Sequence, residues 1–231
     1  MPAYKHLFFD LDHTLWDFER CSCETLSELF YTYQLNSLAD VTVQKFTDTF
    51  RHINRKLWTL YGAGKISQEH LRTTRFATIL NELAIPENQV LSRLADDYLR
   101  LCPQKPHLLP YAREVLDYLK EKYVLHIITN GFADVQHVKM RSANITAYFS
   151  TIVTSEIAGC QKPDRRIFDY ALQQVRSHPS NCLMIGDSLD ADIEGARNAE
   201  IDHVFFNYEN ISHQVKPTHE IKCLSELMQL L

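Results

Sequence analysis

The chain of 231 residues carries a formal net charge of −5, and 45% of its residues are hydrophobic and 23% charged. This balance is typical of a globular protein large enough to bury a core without disulfides or structural metals. The lack of net positive charge argues against a nucleic acid polymer as partner. No apolar stretch reaches the about 18 residues that a membrane span needs.

The first predicted element is a short buried strand over residues 4–9, which ends at Asp10. Apolar residues then recur with helical spacing, which predicts four amphipathic helices packed as a small bundle. The four apolar runs are Leu26 to Tyr33, Val43 to Leu57, Leu71 to Leu83 and Val90 to Leu101. Prolines at 103, 106 and 110 follow, and because proline stops helices they predict a linker.

Beyond the linker the pattern alternates between helix and strand. The predicted elements are helix 112–119, strand 124–128, helix 133–141, strand 151–153, helix 167–175, strand 182–185, helix 189–196 and strand 203–206. Such alternation predicts an α/β fold, a doubly wound parallel sheet with helices on both faces. The first strand needs this sheet as its partner, since an isolated strand is not stable. We therefore predict a core of residues 1–16 and 103–231, with a four-helix cap domain inserted over 17–102.

Polar side chains follow four of the predicted strands. In a doubly wound sheet, ligands bind at the carboxyl ends of the strands. Each feature alone has an ordinary explanation, such as an exposed acid, a helix N-cap or a solvated lysine. Their succession at consecutive strand ends favours a common site. The residues concerned are Asp10 and Asp12, Thr129 and Asn130, Lys162, and Asp187 and Asp192.

The pair Asp10 and Asp12 suggests a metal site. Residues two apart in an extended chain point the same way, so the two carboxylates would lie close together. Carboxylates brought together in this way suit a hard divalent cation such as Mg²⁺.

These residues resemble, in order and spacing, the four motifs of the haloacid dehalogenase-like (HAD) superfamily of phosphohydrolases. The resemblance covers the whole chain, including a helical insertion after the first motif. It implies that Asp10 is the nucleophile, Asp12 the general acid/base, and Lys162 the catalytic cation. It further implies that Thr129, Asn130 and Lys162 bind phosphate. Magnesium would be held by Asp10, Asp187 and the main-chain carbonyl of Asp12, with Asp192 as a second acid of the fourth motif.

The resemblance implies hydrolysis of a small phosphate monoester through a phosphorylated aspartate. Within the superfamily, Trp16-Asp17-Phe18, Leu57-Trp58, Gly64-Lys65-Ile66-Ser67 and Thr129-Asn130-Gly131-Phe132 are similar to bacterial pyrimidine 5'-nucleotidases. A generic helical cap is the alternative explanation for the cap matches. If the subgroup is right, Trp16, Phe18 or Trp58 could stack on a base, because aromatic faces accept any base.

Four other functions stay open at this stage. The substrate could be phosphoglycolate or a sugar phosphate, and a β-phosphoglucomutase-like mutase would use the same groups. A metal-free 2-haloacid dehalogenase lacks the second aspartate of the first motif, so Asp12 and Asp187 argue against it. A signalling receiver domain is about half this length and has no helical insertion.

The six cysteines form no C-x-x-C pair, which predicts reduced thiols and a cytoplasmic location.

Overall fold

The computed structural model describes residues 4–86 and 92–231. Six parallel strands form one sheet in the order β3-β2-β1-β4-β5-β6. The strands are β1 (His6–Phe9), β2 (Val124–Thr129), β3 (Phe149–Thr154), β4 (Cys182–Gly186), β5 (Asp202–Phe206) and β6 (His219–Ile221). The chain moves outward from β1 to β3 and then returns to the other side of β1 at β4. This order confirms the predicted doubly wound α/β fold.

The central strand β1 is covered on both faces. Leu7, Phe8 and Phe9 are each 0% exposed, as expected for a strand between two helical layers. Phe8 belongs to an apolar cluster that includes Ile167 and Phe168 of a following helix. Because side chains alternate along a strand, Leu7 and Phe9 bury the opposite face.

The chain divides into two compact units, Met1–Phe18 with Pro106–Leu231, and Glu19–Lys105. The first segment of the predicted core ends at residue 16, whereas that of the first unit ends at residue 18. The second segment of the predicted core begins at residue 103, whereas that of the first unit begins at residue 106. The role of the inserted unit as a cap stays a prediction. Where the chain leaves and rejoins the first unit, the Asp17 N–H donates to the His107 carbonyl at 3.1 Å and the Leu109 N–H to the Leu15 carbonyl at 2.9 Å.

The inserted segment is helical, as its apolar periodicity predicts. Four long helices agree with the predicted runs, and a one-turn helix lies between the first two. Thr42 caps the helix that begins at Val43, and Ser67 caps the helix that begins at Gln68. Each side chain accepts a hydrogen bond from the backbone N–H three residues further along the chain. Val90 of the last predicted run lies outside the described residues. The helices are α1 (Phe18–Thr32), α2 (Leu35–Leu38), α3 (Val43–Gly62), α4 (Gln68–Glu82) and α5 (Ser92–Leu101).

The helices of the first unit lie between successive strands in the chain, except for the last, which follows β6. They are α6 (Ala112–Leu119), α7 (Ala133–Ser142), α8 (Ser155–Ala158), α9 (Arg165–Val175), α10 (Glu194–Asn198) and α11 (Leu227–Leu230). A widened π-helical turn, Leu189–Ile193, precedes α10, where the sequence predicts a regular helix. Within residues 4–86 and 92–231, every helix is too short or too polar to cross a membrane.

Candidate active site

Strand register brings the predicted site residues to one edge of the sheet. Phe9, the last residue of β1, is level with Ile127 in β2 and with Ile185 in β4. The next residue, Asp10, extends the ladder by donating its N–H to the Ile185 carbonyl at 2.9 Å. Asp187 lies two residues beyond Ile185, so its side chain reaches the same edge. This edge is the point at which the strand order reverses, where doubly wound folds bind ligands.

Three carboxylates meet at this edge. Asp10, Asp187 and Asp192 each offer an oxygen, and these oxygens lie within 4.8 Å of one another. Asp187 accepts a hydrogen bond from the Thr14 hydroxyl at 2.9 Å. Asp12 is not part of this group. Its predicted contribution to a metal, through the main-chain carbonyl, stays a prediction.

Asp192 is placed by the π-helical turn and by a glycine. Its Oδ2 accepts the Ser188 N–H at 3.0 Å. A Cβ on Gly186 would lie 2.2 Å from the same oxygen, so only glycine leaves room for the carboxylate. The end of β4 is therefore shaped to admit Asp192.

Within the described residues, Lys162 is the cation that bonds to two of these acids, Asp10 and Asp192, and it is 2% exposed. Its ammonium donates to Asp10 Oδ1 at 2.5 Å, to Asp192 Oδ1 at 2.6 Å and to the Ile128 carbonyl at 2.8 Å. All three N–H groups are thus used. Asn130 fixes the main chain of Lys162, because its side chain donates to the Lys162 carbonyl at 2.9 Å and accepts the Lys162 N–H at 2.7 Å.

The charge of the cluster is unbalanced, with three acids around one ammonium. Burial raises the pKa of Asp10 to about 8, against the opposing charge of Lys162. Burial and the charge of Asp192 raise the pKa of Asp187 to about 7. Burial alone would lower the pKa of Lys162, but the adjacent carboxylates outweigh it and raise that pKa. Excess negative charge on closely spaced carboxylate oxygens fits a hard divalent cation such as Mg²⁺.

Asp12 lies in a separate hydrogen-bond network with two side chains of α7. Lys139 of α7 donates to both of its oxygens at 2.6 Å and 2.8 Å, and Gln136 donates to Oδ2 at 2.9 Å. Burial acts to raise the pKa of Asp12, but Lys139 and Gln136 outweigh it, so the pKa is lowered. The two aspartates of the first motif therefore have pKa values moved in opposite directions.

Thr129 lies at the end of β2 and is buried. Its hydroxyl oxygen accepts the Gly131 N–H at 3.1 Å and Gln136 Nε2 at 2.8 Å. A hydroxyl has two acceptor lone pairs, so its proton remains to be donated. The amide nitrogen and the amide oxygen of Asn130 both bond to the main chain of Lys162. Only the backbone N–H of Asn130 would therefore be available to bind phosphate.

The sequence analysis missed Gln136 and Lys139. Both are polar residues on the buried face of α7, which they share with Met140 and Ala143 at spacings of three and four residues. Polar residues at such positions in the helix that follows a candidate strand end are the signal that could have identified them.

The three aromatic residues proposed for base stacking differ in exposure. Trp16 is 0% exposed and packs against Phe18 and Lys139, so a base could reach its ring only if this packing were broken. Phe18 is half-buried in the first unit. Trp58 of the inserted unit is half-buried and packs edge-on against Tyr61.

Known proteins resemble the chain over nearly its whole length. The model of one family, described as haloacid dehalogenase-like hydrolase, matches residues 4–200. Pyrimidine 5'-nucleotidase PynA of Streptococcus pneumoniae is 33% identical, over 99% of this chain and 95% of PynA. Pyrimidine 5'-nucleotidase YjjG of Escherichia coli is 31% identical, over 97% of this chain and 96% of YjjG. The structure of the HAD-hydrolase YfnB of Bacillus subtilis, bound to magnesium, is 29% identical with a TM-score of 0.86, covering 99% of this chain and 98% of YfnB.

Proposed function

Because the chain belongs to the haloacid dehalogenase-like hydrolase family, we propose that it is a magnesium-dependent phosphatase with Asp10 as nucleophile. The observation that carries this proposal is the meeting of Asp10, Lys162 and two further acids at the switch point of the sheet. A carboxylate in such a place can attack phosphorus, provided that the surrounding negative charge is neutralised.

The proposed reaction has two steps. Asp10 attacks the phosphoryl group in line, forming a phosphorus–oxygen bond while the bond to the leaving oxygen breaks. Asp12, whose lowered pKa means that it must first take up a proton, gives that proton to the leaving oxygen. In the second step water attacks the phosphorus of the aspartyl-phosphate, Asp12 takes the proton of that water, and Asp10 is released.

Other residues of the site support these steps. Mg²⁺ held by Asp10, Asp187 and the Asp12 carbonyl, beside Asp192, would screen the repulsion between nucleophile and phosphate. Lys162 supplies positive charge directly beside the attacking carboxylate, since its three N–H groups are already donated to protein acceptors. Thr129 donates its remaining hydroxyl proton to a phosphate oxygen.

The proposed substrate is a pyrimidine nucleoside 5'-monophosphate. Support comes from PynA and YjjG, which are full-length relatives at 33% and 31% identity and are both pyrimidine 5'-nucleotidases. Phe18 and Trp58 are the remaining candidates for stacking on the base, because Trp16 is fully buried. All six cysteines lie in the described part of the chain and none of them forms a disulfide, which is compatible with the proposed cytoplasmic location.

Phosphate release from a panel of esters tests the proposal. The panel contains dUMP, dTMP, UMP, phosphoglycolate and hexose phosphates, each assayed with Mg²⁺ and with EDTA. We expect the protein to hydrolyse the pyrimidine nucleotides in the presence of Mg²⁺, and we expect EDTA to abolish this hydrolysis. Rapid turnover of sugar phosphates alone would reject the nucleotidase and keep the phosphatase, and interconversion of sugar phosphates would indicate a mutase. Release of halide from a 2-haloacid in the presence of EDTA, without phosphate release from any ester, would reject both.

A further inference from the structure

Helix α7 carries two buried polar side chains to which the proposed mechanism gives no role. Gln136 is 0% exposed and Lys139 is 6% exposed. Burying a lysine and a glutamine is unfavourable unless their polar atoms are bonded. The donor nitrogens of both side chains end at Asp12, the proposed acid/base, whereas Gln136 Oε1 is buried with no hydrogen-bond partner among the described residues.

The contacts restrict how Asp12 can turn. Lys139 donates to both carboxylate oxygens, at 2.6 Å and 2.8 Å, and Gln136 donates to one of them at 2.9 Å. Three donors on two oxygens, from two side chains of one helix, hold the plane of the carboxylate. An oxygen that transfers a proton has to be kept in such a fixed direction.

Lys139 is held in turn by aromatic rings. Its ammonium lies 4.6 Å from the ring centre of Trp16 and 5.9 Å from that of Phe18. Both rings attract the cation through their faces, and the attraction grows as water is excluded. The buried ring of Trp16 therefore helps to hold the Lys139 ammonium in place.

Gln136 is held by a hydrogen bond and by a close backbone contact. Its amide donates to the Thr129 hydroxyl at 2.8 Å as well as to Asp12. A Cβ on Gly131 would lie 2.1 Å from Gln136 Nε2, so the amide occupies the space that a side chain would fill. One amide thus links the proposed acid/base to the proposed phosphate-binding hydroxyl.

We propose that Lys139 and Gln136 are positioning residues that fix the Asp12 carboxylate for both proton transfers. This inference rests on the proposed phosphatase activity. The proton moves from Asp12 to the leaving oxygen and later from water to Asp12, while Lys139 keeps its own proton throughout. The two side chains consequently act only on steps that need Asp12.

Leaving-group dependence in the variant Lys139→Met tests the proposal. One substrate is the alkyl phosphate that the wild type hydrolyses fastest, whose leaving oxygen needs a proton. The other is 2,4-dinitrophenyl phosphate, whose leaving group departs without one. We expect kcat/KM for the alkyl ester to fall about 10²-fold, while kcat/KM for the aryl ester changes by less than about threefold. The kcat for the aryl ester should fall, because the second step still needs Asp12 as base. The slow second step should also produce an initial burst of dinitrophenolate.

Matched variants separate positioning from folding. Arg141→Met removes a cation from the exposed side of α7 and should leave both substrates unaffected. Asp12→Asn should show the same leaving-group pattern as Lys139→Met, and Gln136→Leu a weaker form of it. The double variant Lys139→Met with Asp12→Asn should lose no more than Asp12→Asn alone, since residues that act as a unit are not additive. The double variant also removes the unpaired carboxylate, so it remains informative if Lys139→Met does not fold.

Three outcomes would each overturn one of two claims. Equal losses of kcat/KM on the alkyl and aryl esters, or additive losses in the double variant, would show that Lys139 does not act through Asp12. A wild type that releases phosphate from no ester would reject the phosphatase itself.

Discussion

The ammonium of Lys162 lies 2.5 Å from Oδ1 of Asp10, although the two residues are 152 positions apart in the chain. The sheet creates this pair, because the central strand ends at Asp10 and the loop carrying Lys162 is tied to the end of β2 by Asn130. The same ammonium binds Asp192, so one cation serves two of the three acids. The excess of negative charge leads to the first predictions.

Replacing Asp10, the proposed nucleophile, should almost abolish turnover. We expect Asp10→Asn to lower kcat by at least about 10³-fold, since no residual path has an equivalent nucleophile. Phosphate release under saturating substrate is the measurement, and a variant with wild-type kcat would contradict the role of Asp10.

The same variant should change the pH dependence of stability without Mg²⁺. Asp10 has a pKa of about 8 in the folded protein against 3.8 as its ordinary value, so the folded state binds more protons between these pH values. The stability that this group contributes is complete below 3.8 and is lost as pH rises through about 8. Urea unfolding from pH 5 to 8 should therefore show a steeper loss in the wild type than in Asp10→Asn. Parallel curves would contradict the raised pKa.

Removing the shared cation should destabilise the fold as well as the activity. Lys162→Met leaves Asp10 and Asp192 buried without their counterion, which typically costs about 3–5 kcal/mol. Adding Asp192→Asn should recover part of the free energy of unfolding but none of the turnover. If the double variant is no more stable than Lys162→Met, the charge explanation fails.

Gly186 should not tolerate a methyl group. In Gly186→Ala the new Cβ would lie 2.2 Å from Asp192 Oδ2, so the carboxylate must move away from Lys162. Crowding of this kind costs about 1–3 kcal/mol, and we expect kcat to fall with it. Gly62→Ala is the matched control, because nothing lies within 4 Å of its Cβ position. Equal unfolding free energies for the two variants would disprove the steric explanation.

A buried histidine in β2 should make the fold sensitive to acid. His126 in β2 is 2% exposed and lies 3.1 Å from a ring nitrogen of His6. Burial, aided by the charge of His6, lowers its pKa to about 4. Below pH about 6.5 the unfolded state therefore binds more protons than the folded state. As the pH is lowered from about 6.5 to about 4, the free energy of unfolding should decrease by up to about 3 kcal/mol.

The variant His126→Leu isolates this effect. Its free energy of unfolding should depend less on pH between about 6.5 and about 4 than that of the wild type. His137→Leu, at an exposed position of α7, should retain the wild-type dependence. Identical pH profiles for wild type and His126→Leu would remove His126 as the cause.

The sequence predicted those parts of the fold that depend on local pattern. The apolar runs that end at Asp10, Thr129 and Gly186 are strong because their strands are buried on both faces. Strand β6 was missed, since it has three residues and only Ile221 is buried. The π-helical turn was also missed, because hydrogen bonds around Asp192, rather than helix periodicity, determine it.

The candidate site was predictable only where residue type itself indicates chemistry. Acids and a lysine after strands suggest a phosphate or metal site, and Asp10, Asp187 and Lys162 were singled out in that way. Gln136 and Lys139 share a helical face with the apolar residues Met140 and Ala143, which indicates a buried position but not the partner. Their role depends on hydrogen bonds to Asp12, 124 and 127 residues away, which no local pattern reveals.

The backbone hydrogen bonds from Asp17 to His107 and from Leu109 to Leu15 close the ring from which the inserted segment emerges. Since both bonds lie wholly within the first unit, they hold the two ends of the inserted segment next to each other whatever helices it contains. We therefore expect strand order and the position of Asp10 to survive an exchange of the helices between these two anchor points.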